Sequence, residues 1–412
     1  MNQTPNDPTS SSSSDTPWEE AMSRDFDARV RDLHEAPLDF DSVKGKAHKI
    51  RRNRRAAVAG GVLGVAAVIT PIAVIAGGHG TGKADQQPYV GRSDQPTSQT
   101  SDPANDDVAV DYLSRGEWHQ ADGDTVELPK NDQPYRAAVL WDGQLVATRY
   151  DGEVYDVADV IADDGTVVDS FSTTSPVAVN DGGTTIAWIG TDGKVMTAWD
   201  GDEVDLGTVD LAAAGEGVAW TVAAVTGGPD CHEAVDGCMV FANSNLGDEP
   251  TTYSSHGIVD NPIPGAKSYA DAGTVGGFRA TYIDTYNQDT SVCGGLYDLE
   301  KGKPAWQTCD FDPGAISPDG KYVAGAPSYG DGLGDSQVNI LKATDGASTG
   351  QFAPEGGFVS TDYAWSESNT LVFSTYDGAT WHLMSMEPSG SLTELTDAKG
   401  PAEDSPFVIV QH

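Results

Sequence analysis

From residue 108 to the C-terminus, short apolar runs alternate with polar turns and no long amphipathic helical stripe interrupts them. Asp-Gly, which suits the positive φ angles of a tight hairpin turn, occurs twelve times, at Asp122, Asp142, Asp151, Asp164, Asp181, Asp192, Asp200, Asp236, Asp319, Asp331, Asp345 and Asp377. Many of these dipeptides sit between apolar runs, as in AAVLW-DG-QLVATRY, IAWIGT-DG-KVMTAW and VFSTY-DG-ATWHLM. The pattern predicts short antiparallel strands and an all-β domain over residues 108–412.

The strands recur in blocks. Segments near 136–172, 177–209, 216–255, 268–311, 313–352 and 359–396 each parse as three or four strands. Remnants at Val108–Leu128 and Val408–Val410 have the composition to complete one further block from both ends of the domain. A four-stranded unit with a period of about 40 residues is the signature of a β-propeller. The expectation is therefore a propeller of about seven blades, with a two-domain β-sandwich array as the structural rival. Ser317-Pro318-Asp319-Gly320-Lys321-Tyr322-Val323-Ala324-Gly325, followed by VNILKATDGASTG, resembles the repeat of TolB-like (WD40-like, PD40-type) propellers. Asn180-Asp181-Gly182-Gly183 and Ser366-Glu367-Ser368-Asn369 are looser echoes of the same turn. The resemblance implies a fold and leaves function open, because propellers host many roles.

The first hundred residues carry a different pattern. Ala56–Gly78 is a run of 23 residues without a charge. As a helix it would span roughly 34 Å, enough for a hydrocarbon core of about 30 Å. Immediately before it stand Lys44, Lys46, Lys49, Arg51, Arg52, Arg54 and Arg55, and the far flank is much less basic. The positive-inside rule then predicts a single-pass protein of the cell membrane with a cytoplasmic N-terminus and an extracytoplasmic C-terminal domain. The alternative, a cleaved signal peptide, would need a 55-residue leader before its apolar stretch. Residues 1–15 are Ser/Thr/Pro-rich and read as disordered, and residues 79–107 read as a flexible linker. Residues 16–55 read as a helical and basic juxtamembrane segment, with Thr16-Pro17-Trp18-Glu19 as a capping box. Trp18, Met22, Phe26, Val30 and Leu33 form one apolar helical stripe, fit either to dock a partner or to pack on a neighbouring helix or the membrane surface. This layout, with Asp27–Ile50 and the RRNRR run, is similar to that of actinobacterial membrane proteins that accompany extracytoplasmic-function sigma factors. The resemblance implies a cytoplasmic regulator such as a sigma factor as partner. The tail has no cysteine, so it departs from the zinc-type anti-sigma pattern.

Charge narrows the functions of the C-terminal domain. The chain carries a net −39, and residues 109–412 hold 48 acidic against 12 basic side chains. Such a domain repels nucleic acid, which is excluded as a partner. All four cysteines, Cys231, Cys238, Cys293 and Cys309, follow the apolar run, as disulfides of an exported domain would. Three pairings are open, and the local ones, Cys231–Cys238 and Cys293–Cys309, are favoured.

Catalytic signatures are sparse. No G-x-S-x-G and no H-E-x-x-H is present. Ser374–Trp381 faintly resembles the Asp-box of sialidase-like propellers, yet it reads more simply as a hairpin turn followed by a core tryptophan. Acidic pairs such as Asp163/Asp164 and Asp202/Glu203 have the chemistry for glycoside hydrolysis, but a chain this acidic produces such pairs by chance. No cofactor is expected. Calcium is the one ion the turns at Asp200–Asp205 and Asp331–Asp335 suggest, and neither fits the EF-hand pattern. The reading is a membrane-anchored binding or sensing protein whose propeller recognises an extracytoplasmic protein or a wall or glycan ligand. The alternatives are a glycan-active envelope enzyme on the same scaffold and a passive surface scaffold.

Overall fold

The computed structural model describes residues 110–412, apart from short segments at 152–153, 200–201, 212–219, 229–230, 232–236, 246–249, 260, 287–291 and 329–333. The predicted tail, basic run, membrane span and linker lie outside the described residues, as do the docking-stripe residues Trp18 to Leu33. The described residues contain no helix long and apolar enough to cross a membrane.

Among the described residues, 28 strands form one eight-stranded and five four-stranded sheets. The first group is β1 (Tyr112–Ser114), β2 (Glu117–His119) and β3 (Thr125–Glu127), followed by β4 (Tyr135–Trp141), β5 (Gln144–Tyr150), β6 (Tyr155–Ile161) and β7 (Val167–Ser172). Next come β8 (Ala178–Val179), β9 (Ile186–Ile189), β10 (Lys194–Trp199) and β11 (Asp202–Thr208), then β12 (Trp220–Thr226), β13 (Met239–Ser244), β14 (Thr251–Ser254) and β15 (Gly257–Val259). The next two sheets are β16 (Ser268–Gly273), β17 (Arg279–Tyr286), β18 (Val292–Asp298) and β19 (Lys303–Thr308), and β20 (Phe311–Ile316), β21 (Tyr322–Pro327), β22 (Val338–Lys342) and β23 (Ser348–Phe352). The chain ends with β24 (Phe358–Trp365), β25 (Leu371–Tyr376), β26 (Trp381–Met386) and β27 (Leu392–Ala398), and finally β28 (Phe407–Gln411).

Each four-stranded sheet is an antiparallel meander in sequence order. The eight-stranded sheet is two such groups, β3-β2-β1-β28 and β4-β5-β6-β7, joined by the one parallel pair, β28 with β4. Its first group thus combines the two ends of the domain: Tyr112, Leu113 and Ser114 pair with Ile409, Val408 and Phe407. Successive first strands touch in a cycle, β4 to β8, β12, β16, β20, β24, β28 and back to β4. Radially arranged four-stranded sheets whose inner strands close on themselves make a β-propeller.

The core confirms this arrangement physically. Among the described residues the buried apolar side chains form a cluster between each neighbouring pair of strand groups. Val146, Val160, Ile186 and Trp188 pack β4–β7 against β8–β11, and Ile189, Val195, Val222 and Val240 continue to β12–β15. Phe241, Tyr269 and Tyr282, then Leu296, Trp306, Val323 and Leu341, then Ile340, Trp365 and Phe373 carry the stacking onward. Val372, Trp381 and Ile409, and Leu113, Leu145 and Val410, close it through β28. Sheets buried on both faces require apolar residues on both faces of their strands, and that is why central strands such as Ile186–Ile189 read as continuous apolar runs. Buried tryptophans staple neighbouring groups: Trp306 Nε1 donates to the Ala343 carbonyl at 3.1 Å and Trp365 Nε1 to the Ala315 carbonyl at 3.0 Å.

The turn chemistry expected from the sequence is present. Asp142 and Gly143, with φ of 48° and 76°, form the two-residue turn between β4 and β5. The turn at Ser317–Gly320 and its two echoes share one construction. The first residue's side-chain oxygen accepts the backbone N–H of Tyr322 (3.0 Å) at Ser317, of Thr370 (3.0 Å) at Ser366, and of Thr184 (2.8 Å) at Asn180. Its carbonyl accepts the N–H of the fourth residue, and that residue has positive φ: Gly320 at 67°, Asn369 at 62° and Gly183 at 65°. Both local disulfides are formed, Cys231–Cys238 and Cys293–Cys309. The second extends the β18–β19 pairing by one rung, beyond Gly294 opposite Thr308.

Candidate functional site

Bulges occur in inner and outer strand pairs alike, and five of them lie on inner strands. Pairing with the second strand slips between Tyr135 and Ala137 on β4, Val222 and Ala224 on β12, Tyr269 and Asp271 on β16, Pro313 and Ile316 on β20, and Val359 and Tyr363 on β24. Bulges re-aim side chains next to functional sites. Here they coincide with polar residues on the inner rim of the ring: Asp271 on β16, Asp312 on β20, and Asp362 and Tyr363 on β24. All four are partly exposed.

Two of the aspartates reach toward the next inner strand. Asp271 Oδ2 accepts the N–H of Ile316 on β20 at 2.7 Å, while its Oδ1 accepts the N–H of Ala272 at 2.8 Å. Asp362 Oδ2 faces the N–H of Ile409 on β28 at 3.5 Å. Asp312, between them, has an Oδ1 that is closed to solvent and meets no hydrogen-bond donor. Tyr363 lies across Gly314 of β20, its ring and hydroxyl filling the space a Cβ would need.

Surrounding protein makes ionisation difficult. Burial pushes the Asp271 carboxyl up to about 7, against the two N–H groups that favour its charge and with a further rise from Asp181. Burial pushes Asp312 up to about 8, and the Asp335 carboxylate adds to the rise. Asp362 is pushed up to about 6 by burial, opposed by the Ile409 N–H. The Tyr363 phenol is raised first by burial and then by four carboxylates, Asp312, Asp335, Asp362 and Asp271, which marks it as the common neighbour of the group. Tyr286, bonded to Ser268 Oγ at 2.8 Å, is raised to about 12 by burial, with Asp312 contributing. Carboxyls held near neutral pKa and gathered round a phenol are chemically distinct from solvated surface acids, and such perturbed groups cluster at functional sites.

The candidates singled out in the sequence lie elsewhere. Arg136 pairs with Asp404 at 2.6 Å, Arg149 with Asp159 at 3.0 Å, and Arg279 donates to the Gly320 carbonyl at 3.2 Å. The fourth arginine of the domain, Arg115, sits in the β1–β2 turn. These arginines do not converge as a sialidase carboxylate clamp. Asp377 caps the N–H groups of Ala379 and Thr380 at 2.8 Å, and Trp381 is buried behind it, a hairpin turn with a core tryptophan. Asp164 caps the β6–β7 turn, and Asp202 and Glu203 are exposed on β11. Among the described residues no three His, Cys, Asp or Glu side chains come together as a metal site. Much of the two acidic turns suggested for calcium, 200–201 and 331–333, lies outside the described residues. His382 is held between Asp377 and Glu394 on outer strands, at 3.3 and 2.9 Å.

Sequence reading missed Asp271, Asp312, Asp362 and Tyr363. One signal was available: an aspartate interrupts the first strand of three successive blocks, in SYADAG, FDPGAI and FVSTDYAW.

No family model matches the chain, and no curated protein matches it. Similar solved structures include the RRP9 WD40 repeats, with 10% identity over 71% of this chain and 86% of that one and a TM-score of 0.45. The Myceliophteria thermophila Cps50 (Swd1) β-propeller domain has 12% identity over 66% and 88%, with a TM-score of 0.44. BamB from Moraxella catarrhalis has 14% identity over 69% and 79%, with a TM-score of 0.38. With all three TM-scores below 0.5, the fold assignment stands on sheet order and ring closure.

Proposed function

We propose that this chain is a membrane-anchored, extracytoplasmic binding or sensing protein, with residues 56–78 as its single span and a ring of seven blades as its recognition domain. The observation that carries the binding reading is the gathering of Asp271, Asp312, Asp362 and Tyr363 on the inner rim. These groups sit on the inner strands of three successive sheets, where a propeller offers a surface shared by several blades. The tail at Trp18, Met22, Phe26, Val30 and Leu33 docks a cytoplasmic regulator, a sigma factor being the partner that the layout suggests, and relays occupancy of the ring. The basic run Lys44–Arg55 fixes orientation and touches anionic lipid. The test is a cross-linked pull-down from native membranes, comparing the full chain with one lacking residues 1–43. A regulator recovered only with the intact tail, together with an envelope partner recovered by both, is the expected result. Recovery of neither refutes the reading.

One observation favours a second reading, a glycan-active hydrolase on the same rim. Asp312 holds its proton near neutrality beside Asp335, and a protonated acid next to a carboxylate is the pairing glycoside cleavage uses. Release of reducing ends from wall glycan by the wild-type chain, abolished by Asp312→Asn, would establish that reading instead.

A further inference from the structure

Asp312 differs from its neighbours in that its Oδ1 meets no donor. Asp271 has both oxygens on backbone N–H groups and Asp362 faces one, whereas Asp312 Oδ1 is enclosed without a donor. An enclosed acceptor left unpaired destabilises a fold, and a donor arriving from outside would satisfy it. The residue as a whole is partly exposed, and rotation about the soft χ2 torsion of aspartate exchanges its two oxygens.

The missing donor is cationic on electrostatic grounds. The groups that face Asp312 and its neighbours are acidic or phenolic: Asp335 from the β21–β22 loop, Asp271 from β16, Tyr286 from β17, and Asp362 and Tyr363 from β24. Asp181, from the β8–β9 turn, adds to the field at Asp271. Arg136, on β4, is already bonded to Asp404. The acids do not converge as metal ligands do. They suit a cation that spreads its donors instead. A primary ammonium carries three N–H donors on a compact charge.

Resting on the binding reading above, we infer that the inner rim is a site for a primary ammonium group, carried by a polyamine or by a lysine side chain of a peptide, with Asp312 as its hydrogen-bonded anchor. Binding is then linked to proton loss: the neutral Asp312 carboxyl releases its proton to solvent and becomes the carboxylate that accepts from the ammonium. Affinity therefore rises with pH between about 6 and 9, below the range in which an amine itself deprotonates, near 10.4 for lysine.

The test is titration calorimetry on the full chain with two probes, spermidine and a tetralysine peptide. It is run at pH 6.0 and 8.5 and in two buffers of different ionisation heat. The expected result is binding at least about tenfold tighter at pH 8.5, with net proton release at pH 7. Asp312→Asn is expected to weaken binding at pH 8.5 by about tenfold or more and to remove most of the pH dependence, with its melting curve kept. Asp163→Asn with Asp164→Asn, on the exposed β6–β7 turn, leaves affinity unchanged. Binding of spermidine alone assigns the source to free polyamine, and binding of tetralysine alone assigns it to a protein lysine. The inference is overturned if neither probe binds, if Asp312→Asn binds like wild type, or if the surface variant weakens binding as much as Asp312→Asn does. Proton release by the wild-type chain needs no variant, and zero release or uptake also overturns it. The two readings fail separately. An envelope partner captured in the pull-down while neither probe binds removes the ammonium site alone. Probe binding with no captured partner removes the partner reading alone.

Discussion

Replacing Ile409 by alanine tests whether the ring is closed by its last strand. Ile409 lies on β28, is 2% exposed, and packs with Val372, Trp381 and Leu383 of the preceding sheet and with Val110 at the start of the domain. Its neighbour across the pairing is Tyr112 on β1. The substitution removes three carbons, about 2–3 kcal/mol of transfer free energy at about 0.8 kcal/mol each. A cavity walled by two sheets cannot collapse fully, so the total loss is expected at about 3–4 kcal/mol. The assay is urea unfolding of the full chain under oxidising conditions, followed both by tryptophan fluorescence and by far-UV circular dichroism. Val168→Ala is the control, because Val168 is 54% exposed on the edge strand β7 and should change stability by less than about 0.5 kcal/mol. A closed ring loses stability as a unit, so both probes should shift together. A loss below about 1 kcal/mol, or a shift confined to one probe, would show that β28 is an appendage and refute the closure argument.

Other outcomes follow from the same geometry. Asp271, Asp312 and Asp362 keep their protons in the fold to about 7, 8 and 6, against about 3.9 in an unfolded chain. Their contribution to stability is complete below about pH 4 and is lost as pH rises through those folded values. The melting temperature should therefore fall between pH 5 and pH 9, and the triple Asp→Asn variant should have a flatter profile; an unchanged slope contradicts the assignment. Gly320→Ala should cost more than about 1 kcal/mol in urea unfolding, because φ is 67° and the Val275 carbonyl occupies the site of the new Cβ. Gly356→Ala, at similar φ but in open space, should cost less. Replacing Cys293 and Cys309 by serine should lower stability by about 3 kcal/mol, the chain-entropy value for a loop of about 15 residues. Equal stability of reduced and oxidised chains would contradict this.

Much of the fold was legible because the determinants are local. Hairpin turns are chosen by two to four adjacent residues, so Asp142-Gly143 and Ser317–Gly320 announce themselves in the sequence. Strands confined between two turns have little freedom of length, and the apolar blocks coincide with the sheets they form. The local disulfides follow from the same shortness of range. The rim was not legible, because its members stand on three different sheets and meet only through ring closure. In sequence, Asp271, Asp312 and Asp362 are three acids among 48 in this domain, and only their place inside the first strand of a block separates them from Asp163 or Asp202. The acidic pairs Asp163/Asp164 and Asp202/Glu203 show the converse: adjacency along the chain puts two carboxyls near each other but leaves both in solvent.

Local sequence was enough to show that the domain is all-β, where its turns fall, how its strands group, and that the ends of the domain carry strands short of a full block. Those properties are set by φ preferences and by apolar alternation, which act over a few residues. Which strands become inner strands, where their bulges fall, and which polar side chains stand beside those bulges depend on the assembled ring. So does the protonation of Asp312, since a pKa near 8 arises from the protein packed round the carboxyl and from Asp335 beside it, and desolvation is a property of the assembled sheets.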